Sequence, residues 1–186
     1  MSTLKKLSIA TAGAIVVATG LAAETAQAIT FTSTPHTSTC DPNGCVTGVS
    51  GATAINFNGG TAPSSGFATY SYPNGTTLVR STGVSGTAAP PYGDTSQYLS
   101  IGPSPNASPV TITFQSSVNY FGLYWGSIDS FNQISFYKNA SDTTALNTFS
   151  GTDILNTASG AQTNITRIGM SISIPQLLTT IFKKWF

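Results

Sequence analysis

The sequence predicts an all-β protein, an antiparallel β-sandwich of jelly-roll type, and three observations support that fold class. Short segments in which apolar and polar residues alternate recur along the chain, with Gly-, Pro- and Asn-containing turns between them. No segment before Gly160 shows the 3.6-residue apolar stripe of an amphipathic helix. Charged residues make up only 7% of the chain, and Gly, Ser, Thr and Asn take their place.

The centre of the predicted sandwich is the aromatic stretch Val118–Tyr137, which contains two strand patterns joined by a turn at Gly126–Ser130. Ile134 and Phe136 give the second strand its buried face. The first strand presents two faces with a period of two residues. The face predicted to be buried carries Phe121, Leu123 and Trp125, and the other carries Tyr120, Gly122 and Tyr124.

Seven further strands complete the predicted sandwich. The turn Pro73-Asn74-Gly75 indicates a hairpin between the strands on either side of it. Val110, Ile112 and Phe114 are expected to point inward, and Ser81–Asp94 is expected to be an exposed loop. The seven segments are Ile29–Ser33, Thr53–Phe57, Gly66–Tyr72, Thr76–Arg80, Tyr98–Ile101, Val110–Phe114 and Ala145–Phe149.

Residues 1–28 are predicted to be a signal peptide. Lys5 and Lys6 precede the apolar run Leu7–Ala23, and Ala26-Gln27-Ala28 fits the small-residue cleavage pattern. Cleavage after Ala28 leaves residues 29–164 as the sandwich domain. An uncleaved anchor is the alternative, and Glu24 disfavours it because the apolar run ends short of the roughly 20 residues that a membrane span needs.

The two cysteines fit an export route. Cys40 and Cys45 enclose the turn sequence Asp41-Pro42-Asn43-Gly44, which brings its ends together. A disulfide across this loop would contribute about 2 kcal/mol on the chain-entropy model. The alternative is a metal pair, but two thiols without neighbouring ligands make a poor zinc site.

Composition also bears on the class of function. A Ser-His-Asp arrangement would need His36, which lies in a polar segment, and no catalytic residues are assigned. Between Ile29 and Asn164 two basic residues stand against five aspartates, so there is no basic stripe for a nucleic acid. We therefore expect a protein without enzymatic activity, cofactor or nucleic-acid partner.

Two ligand hypotheses stay open beside that expectation. Asp94, Asp129 and Asn132 lie in predicted turns and could offer oxygen ligands to calcium, but their spacing is not that of an EF-hand, and turn capping is the more common role of such residues. Asp153 belongs to the same group. The tyrosine face could instead stack sugar rings, which would make an extracellular polysaccharide or an envelope component the partner, although aromatic residues on both faces of a central strand are more often two packed layers. Its members are Tyr120, Tyr124 and Tyr137.

Three motifs resemble a family of cyanobacterial exosortase-dependent surface proteins that end in a PEP-CTERM sorting signal. They are Gly93–Ser100 (GDTSQYLS), Val118–Ser127 (VNYFGLYWGS) and Phe149–Asp153 (FSGTD). The resemblance extends from the signal peptide to about Asn164. It implies export, a β-rich ectodomain and sorting to the cell surface or extracellular matrix, and it implies no catalytic residue.

The tail, residues 165–186, departs from that family. Family members continue through further strands to a Pro-Glu-Pro motif and a membrane helix, neither of which follows here. Back-translation of Arg167–Phe186 in a shifted frame gives an Asn-rich pattern like the family's continuation. We therefore interpret the tail as a frameshift product and expect the sandwich to lack its last strands and its anchor. The alternative is a short amphipathic helix on a membrane surface, over Leu177–Phe186.

Overall fold

The computed structural model describes residues 29–35, 49–72, 78–85, 88–102, 109–155 and 168–178. Nine strands and one four-residue helix lie in these ranges, which confirms the all-β class. The jelly-roll sandwich stays a prediction. In chain order the elements are β1 (Thr30–Pro35), β2 (Ala68–Ser71), β3 (Leu78–Arg80), β4 (Tyr98–Ser100), β5 (Thr111–Phe114), β6 (Val118–Trp125), β7 (Gln133–Phe136), β8 (Asn147–Ser150), α1 (Gly151–Ile154) and β9 (Ile168–Leu178).

The strands form four small sheets, and every pairing between named strands in the described ranges is antiparallel. One sheet has three strands in the order β1–β9–β6. The other three sheets are the pairs β2–β5, β3–β4 and β7–β8.

A series of phenylalanines joins three of these sheets into one core. Phe114 of β5 contacts Phe121 of β6 with ring centroids 6.3 Å apart. Phe121 contacts Phe136 of β7 at 6.0 Å, and Phe136 contacts Phe149 of β8 at 6.1 Å. All three contacts are edge-to-face, the arrangement that the quadrupoles of aromatic rings favour. The core therefore runs continuously from the β2–β5 pair to the β7–β8 pair.

The predicted inward positions are confirmed where alternation was regular. Val110, Ile112 and Phe114 are buried, and so are Ile134 and Phe136. The β6 residues that were predicted to face inward pack against this core, although each is only partly buried. They are Phe121, Leu123 and Trp125.

Two local predictions are wrong. Thr53–Phe57 is not a strand, although Ile55 packs on the core and the Phe57 ring contacts Tyr70 edge-on at 5.8 Å. The residues alternate because one side of the segment packs on the core. A strand also requires backbone hydrogen bonds to a neighbouring strand. The predicted hairpin around Pro73-Asn74-Gly75 does not form, because β2 pairs with β5 and β3 pairs with β4. The two central strands lie in different sheets, because β6 pairs with β9 and β7 pairs with β8.

The loop at residues 81–94 is only partly exposed, contrary to the prediction. Val84 and Ala88 form an isolated bridge with backbone hydrogen bonds of 2.7 and 2.9 Å. Pro91 is buried. This loop is therefore attached to the body of the protein.

Strand β9 lies within the tail that was interpreted as a frameshift product. It pairs with β1 through Ile168–Ser173 and with β6 over the same residues. The pairing with β6 becomes irregular beyond Ser173 and resumes at Leu178, so Pro175 falls in the irregular stretch. Proline has no N–H to give to a ladder, which accounts for the interruption there. The frameshift origin of the tail stays a hypothesis.

The alternative interpretation of the tail, a helix over Leu177–Phe186, is wrong for its first two residues. Leu177 and Leu178 end strand β9, and residues 179–186 lie outside the described ranges. Several other predictions fall on undescribed residues as well. They are the signal peptide with Ala26 and Ala28, His36, and the Cys40–Cys45 disulfide.

Candidate functional site

The structure brings together two of the three predicted ligand-binding tyrosines. Tyr120 and Tyr124 both lie on β6 and are half-buried, with the exposed Gly122 between them. Tyr137 follows β7 and is only 5% exposed. A buried ring offers no face to a sugar, so Tyr137 does not belong to a surface site.

A third tyrosine, Tyr92, takes its place. The Tyr124 hydroxyl donates a hydrogen bond to the Tyr92 carbonyl oxygen at 3.3 Å, and the Tyr92 side chain is 46% exposed. We call Tyr92, Tyr120 and Tyr124 the tyrosine surface. Tyr92 was missed because its sequence context, Pro90-Pro91-Tyr92-Gly93, was interpreted only as an exposed loop.

The loop that carries Tyr92 is held against the end of β6. A Cβ added to Gly126 would lie 2.5 Å from the Pro91 Cα and 2.8 Å from the Pro91 nitrogen. Only glycine allows the two backbones to approach this closely. The Asp94 N–H donates to the Pro91 carbonyl at 3.0 Å, and Gly93 has a φ of 75°. The Gly126-Ser127 end of the VNYFGLYWGS motif therefore supports the loop that presents Tyr92.

The FSGTD motif builds a helix start and a second close backbone approach. The Ser150 Oγ accepts a hydrogen bond from the Asp153 N–H at 3.3 Å, and the Asp153 carboxylate accepts one from the Ser150 N–H at 2.7 Å. This reciprocal pair is a capping box. The Ser150 hydroxyl also donates to the Asp153 Oδ2 at 2.6 Å, and this bond, together with the one from the Ser150 N–H, lowers the pKa of Asp153 below its usual value. A Cβ on Gly151 would overlap the Asp129 carbonyl oxygen.

Three of the four calcium candidates make hydrogen bonds within their own turns. The Asp94 Oδ1 accepts a hydrogen bond from the Ser96 N–H at 2.8 Å. The Asp129 carbonyl accepts one from the Asn132 N–H at 3.0 Å. Asn132 is 2% exposed, and its Nδ2, which has no hydrogen-bond partner among the described atoms, is a donor that does not bind a cation. Within the described ranges, no group of three or more His, Cys, Asp or Glu residues is placed to hold a metal ion.

A shallow surface depression of about 480 Å³ is lined by residues 141–146. Its carboxylate, Asp142, accepts hydrogen bonds from the Asn139 N–H at 2.9 Å and from the Asn139 Nδ2 at 3.3 Å. This carboxylate therefore caps its own turn.

Two other tyrosines have shifted pKa values because of their surroundings. Burial raises the pKa of Tyr70 to about 12. Burial also raises the pKa of Tyr98, which the positive charge of Arg80 partly opposes, and the Tyr98 hydroxyl donates to the Thr82 carbonyl at 3.1 Å. Both phenols stay protonated at neutral pH and serve the packing of their strands.

Comparison with known proteins finds no matching family model, no similar curated protein and no similar solved structure. In the part of the chain that the structure describes, no helix is both long and apolar enough to span a membrane.

Proposed function

We propose that the chain is an exported, non-enzymatic protein of the cell surface or extracellular matrix, belonging to the exosortase-sorted class that its motifs resemble. The main support is the use that the fold makes of those motifs. Gly126 packs on Pro91, Gly151 packs on the Asp129 carbonyl, and Ser150 caps α1. These motif residues serve close packing and helix capping, so they maintain the fold. This is the role expected in a protein that acts through a stable folded surface.

Composition supports the same proposal. Ser, Thr, Asn and Gly hydrate the surface in place of charges, which make up 7% of the chain. Such a surface is compatible with neutral polymers outside the cell.

The first experiment expresses the full chain with a C-terminal epitope tag in a cyanobacterial host. We expect intact-cell protease treatment to remove the tag, and the mass of the mature protein to place its N-terminus at Ile29. The matched control replaces Lys5 and Lys6 by Glu, which removes the positive charge that an export signal needs. A protein that keeps Met1 and stays protease-protected inside the cell would contradict the proposal.

A second candidate function is binding of a neutral polysaccharide at the tyrosine surface. The observation that favours it is the hydrogen bond from the Tyr124 hydroxyl to the Tyr92 carbonyl, which holds the backbone of the exposed Tyr92 beside β6. Exposed tyrosine rings stack on the apolar faces of sugars and add hydroxyl hydrogen bonds.

A pull-down on insoluble polysaccharides tests this candidate. Tyr92→Ala is expected to abolish retention, whereas Phe131→Ala, which removes another exposed ring, leaves retention unchanged. Circular dichroism must show the same fold in both variants. Retention that is absent in the wild-type protein, or equal in both variants, rejects the sugar site.

A further inference from the structure

The turn at residues 57–60 carries an asparagine followed by a glycine on an exposed surface. The Gly60 N–H donates to the Phe57 carbonyl at 2.9 Å, which places Asn58 and Gly59 at the two central positions of a β-turn. The Asn58 N–H donates to the Asn56 Oδ1 at 3.3 Å and holds the entry to the turn. Residues 58–60 are exposed, so water and hydroxide reach both central residues.

The side chain of Asn58 is held by a distant part of the chain. The Gln97 N–H donates to the Asn58 Oδ1 at 3.0 Å. Gln97 belongs to the GDTSQYLS motif, so this bond joins the turn to that motif. A donor on this oxygen withdraws electron density from the Asn58 Cγ, and it stabilises the negative charge that develops on Oδ1 when a nucleophile adds to Cγ. The Asn58 carboxamide is therefore both oriented and made more electrophilic.

The backbone nitrogen of Gly59 is the nearest nucleophile along the chain. It directly follows Asn58, so its attack on Cγ closes a small ring within the chain and needs no second molecule. The Gly59 N–H donates to no acceptor in the part of the chain that the structure describes. A Cβ built on Gly59 would meet nothing within 4 Å, so no other segment crowds this residue. Glycine also has no side chain of its own to obstruct the attack.

We propose that Asn58 is a self-modification site, at which the folded protein converts the asparagine into a carboxylate without an enzyme. The Gly59 nitrogen loses its proton to hydroxide and forms a bond to the Asn58 Cγ. The bond between Cγ and Nδ2 breaks, and Nδ2 leaves as ammonia after taking a proton from water. Water then opens the succinimide ring at either carbonyl, which gives aspartate or isoaspartate at position 58. Nothing is oxidised or reduced.

The two products affect the contact with Gln97 differently. Aspartate keeps an acceptor oxygen in place and carries a negative charge, so the bond from the Gln97 N–H becomes charge-assisted and stronger. Isoaspartate adds a methylene group to the main chain, which moves the Gly60 N–H relative to the Phe57 carbonyl and loosens the turn. Either product places one new negative charge beside the GDTSQYLS motif.

Incubation of the folded, full-length chain in H₂¹⁸O tests the site. Peptide mapping by mass spectrometry follows each asparagine at neutral and mildly alkaline pH. We expect Asn58 to take up ¹⁸O, at a rate that rises with pH because the attacking nitrogen must lose its proton. The mapping separates Asn58 from Asn43 and Asn74, which also precede glycine.

Asn139 is the internal control for this experiment. It begins an exposed turn, in which the Asp142 N–H donates to the Asn139 carbonyl at 3.1 Å, but the residue that follows it is Ala140. The methyl group of alanine hinders attack by the backbone nitrogen. We expect ¹⁸O uptake at Asn139 to be several-fold slower than at Asn58.

Gly59→Ala tests the nucleophile without disturbing the fold. A Cβ there meets no neighbour and Gly59 has no positive φ, so circular dichroism should show the wild-type fold. Uptake at Asn58 should fall several-fold because of the added methyl group. Thr61→Ala, at an exposed position just beyond the turn, is the matched control and should leave the rate unchanged. A parallel incubation in urea gives the rate in the unfolded chain.

Uptake at Asn58 in the folded protein that exceeds uptake at Asn139, falls in Gly59→Ala and yields some isoaspartate supports the proposal. Uptake in urea alone shows that the bond from Gln97 protects Asn58, and it overturns the proposal. Equal rates at Asn58 and Asn139, or in wild type and Gly59→Ala, also overturn it. A product that is entirely aspartate does so as well, because direct hydrolysis by water forms no ring.

Discussion

Two motif positions require glycine because the backbone there approaches another segment of the chain closely. Gly126 and Gly151 each face the backbone of another segment, Pro91 in one case and Asp129 in the other. In both cases the neighbour is backbone, which cannot rotate away as a long side chain can. Glycine is therefore required at both positions because two backbone segments of the chain lie very close together. Neither glycine has a positive φ.

Gly126→Ala is expected to lower the free energy of unfolding by about 1–3 kcal/mol, the usual cost of forcing an extra methyl group into a packed site. The added Cβ would lie 2.5 Å from the Pro91 Cα. Urea denaturation followed by circular dichroism measures the change. Gly59→Ala is the matched control, since a Cβ there meets nothing within 4 Å. Equal stability of the two variants would contradict the close approach.

Ser150 is expected to stabilise the start of α1. Ser150→Ala removes the hydroxyl that accepts from the Asp153 N–H, and it should cost about 1 kcal/mol in the same denaturation experiment. Thr143→Ala, at an exposed position, serves as the control and should change little. A loss that is no larger than the control's would show that the cap contributes nothing.

Asp153, the partner of Ser150 in the cap, should make the free energy of unfolding depend on pH. Hydrogen bonds from the Ser150 hydroxyl and backbone N–H lower the pKa of Asp153 in the folded state. Its contribution is therefore complete above the usual aspartate pKa of about 3.9, and it is lost as the pH falls through the lower folded value. Denaturation midpoints of wild type and Asp153→Asn should converge as the pH is lowered through this window. A constant difference would contradict the shift.

Sequence alone could have revealed the cap but not the close approaches. Ser150 and Asp153 have the spacing of a capping box, so the start of the four-residue helix was predictable, although the helix is too short to show an apolar stripe. The contact of Gly126 with Pro91 joins two segments that no periodicity connects. Tyr92 was missed for the same reason, because only the folded loop places it beside Tyr124.

At the scale of elements, strand positions were predictable and strand partners were not. Regular alternation located β5, β6 and β7 within a residue or two, because one face of each packs on the same core. Pairing depends on which strand edges meet after folding. The alternation of apolar and polar residues within a strand does not identify its neighbour. The turn Pro73-Asn74-Gly75 therefore suggested a hairpin, whereas β2 and β3 belong to different sheets.

Hydrogen exchange should distinguish the two halves of β9. Residues 168–173 are in register with both β1 and β6, so their amides have acceptors on one side or the other. Residues 174–177 fall where the register with β6 is irregular. We expect slower exchange in the first half than in the second, measured by NMR or by mass spectrometry of overlapping peptides. Equal, fast exchange across residues 168–178 would contradict the central place of β9.

At the scale of the whole molecule, three of the four small sheets share one aromatic core. The edge-to-face series Phe114, Phe121, Phe136 and Phe149 takes one ring from each of β5, β6, β7 and β8. Phe67 extends the series with a tilted contact to Phe114, at a centroid distance of 5.5 Å. Sheets of two strands have little stability alone. The aromatic core is therefore what makes them fold as one unit.

Phe136 is the residue at which that dependence can be measured, because it is fully buried and contacts rings on both sides. Phe136→Ala should lower the free energy of unfolding by about 3–5 kcal/mol. A domain of ordinary stability has only about 5–15 kcal/mol in total, so the variant should be close to unfolding. Phe131→Ala, which removes a ring that is 52% exposed, is the matched control and should have a small effect.

If the sheets fold as one unit, far-UV and near-UV circular dichroism will give the same denaturation midpoint for each variant. Separate midpoints in Phe136→Ala, with strand signal outlasting aromatic signal, would show sheets that persist without the shared core.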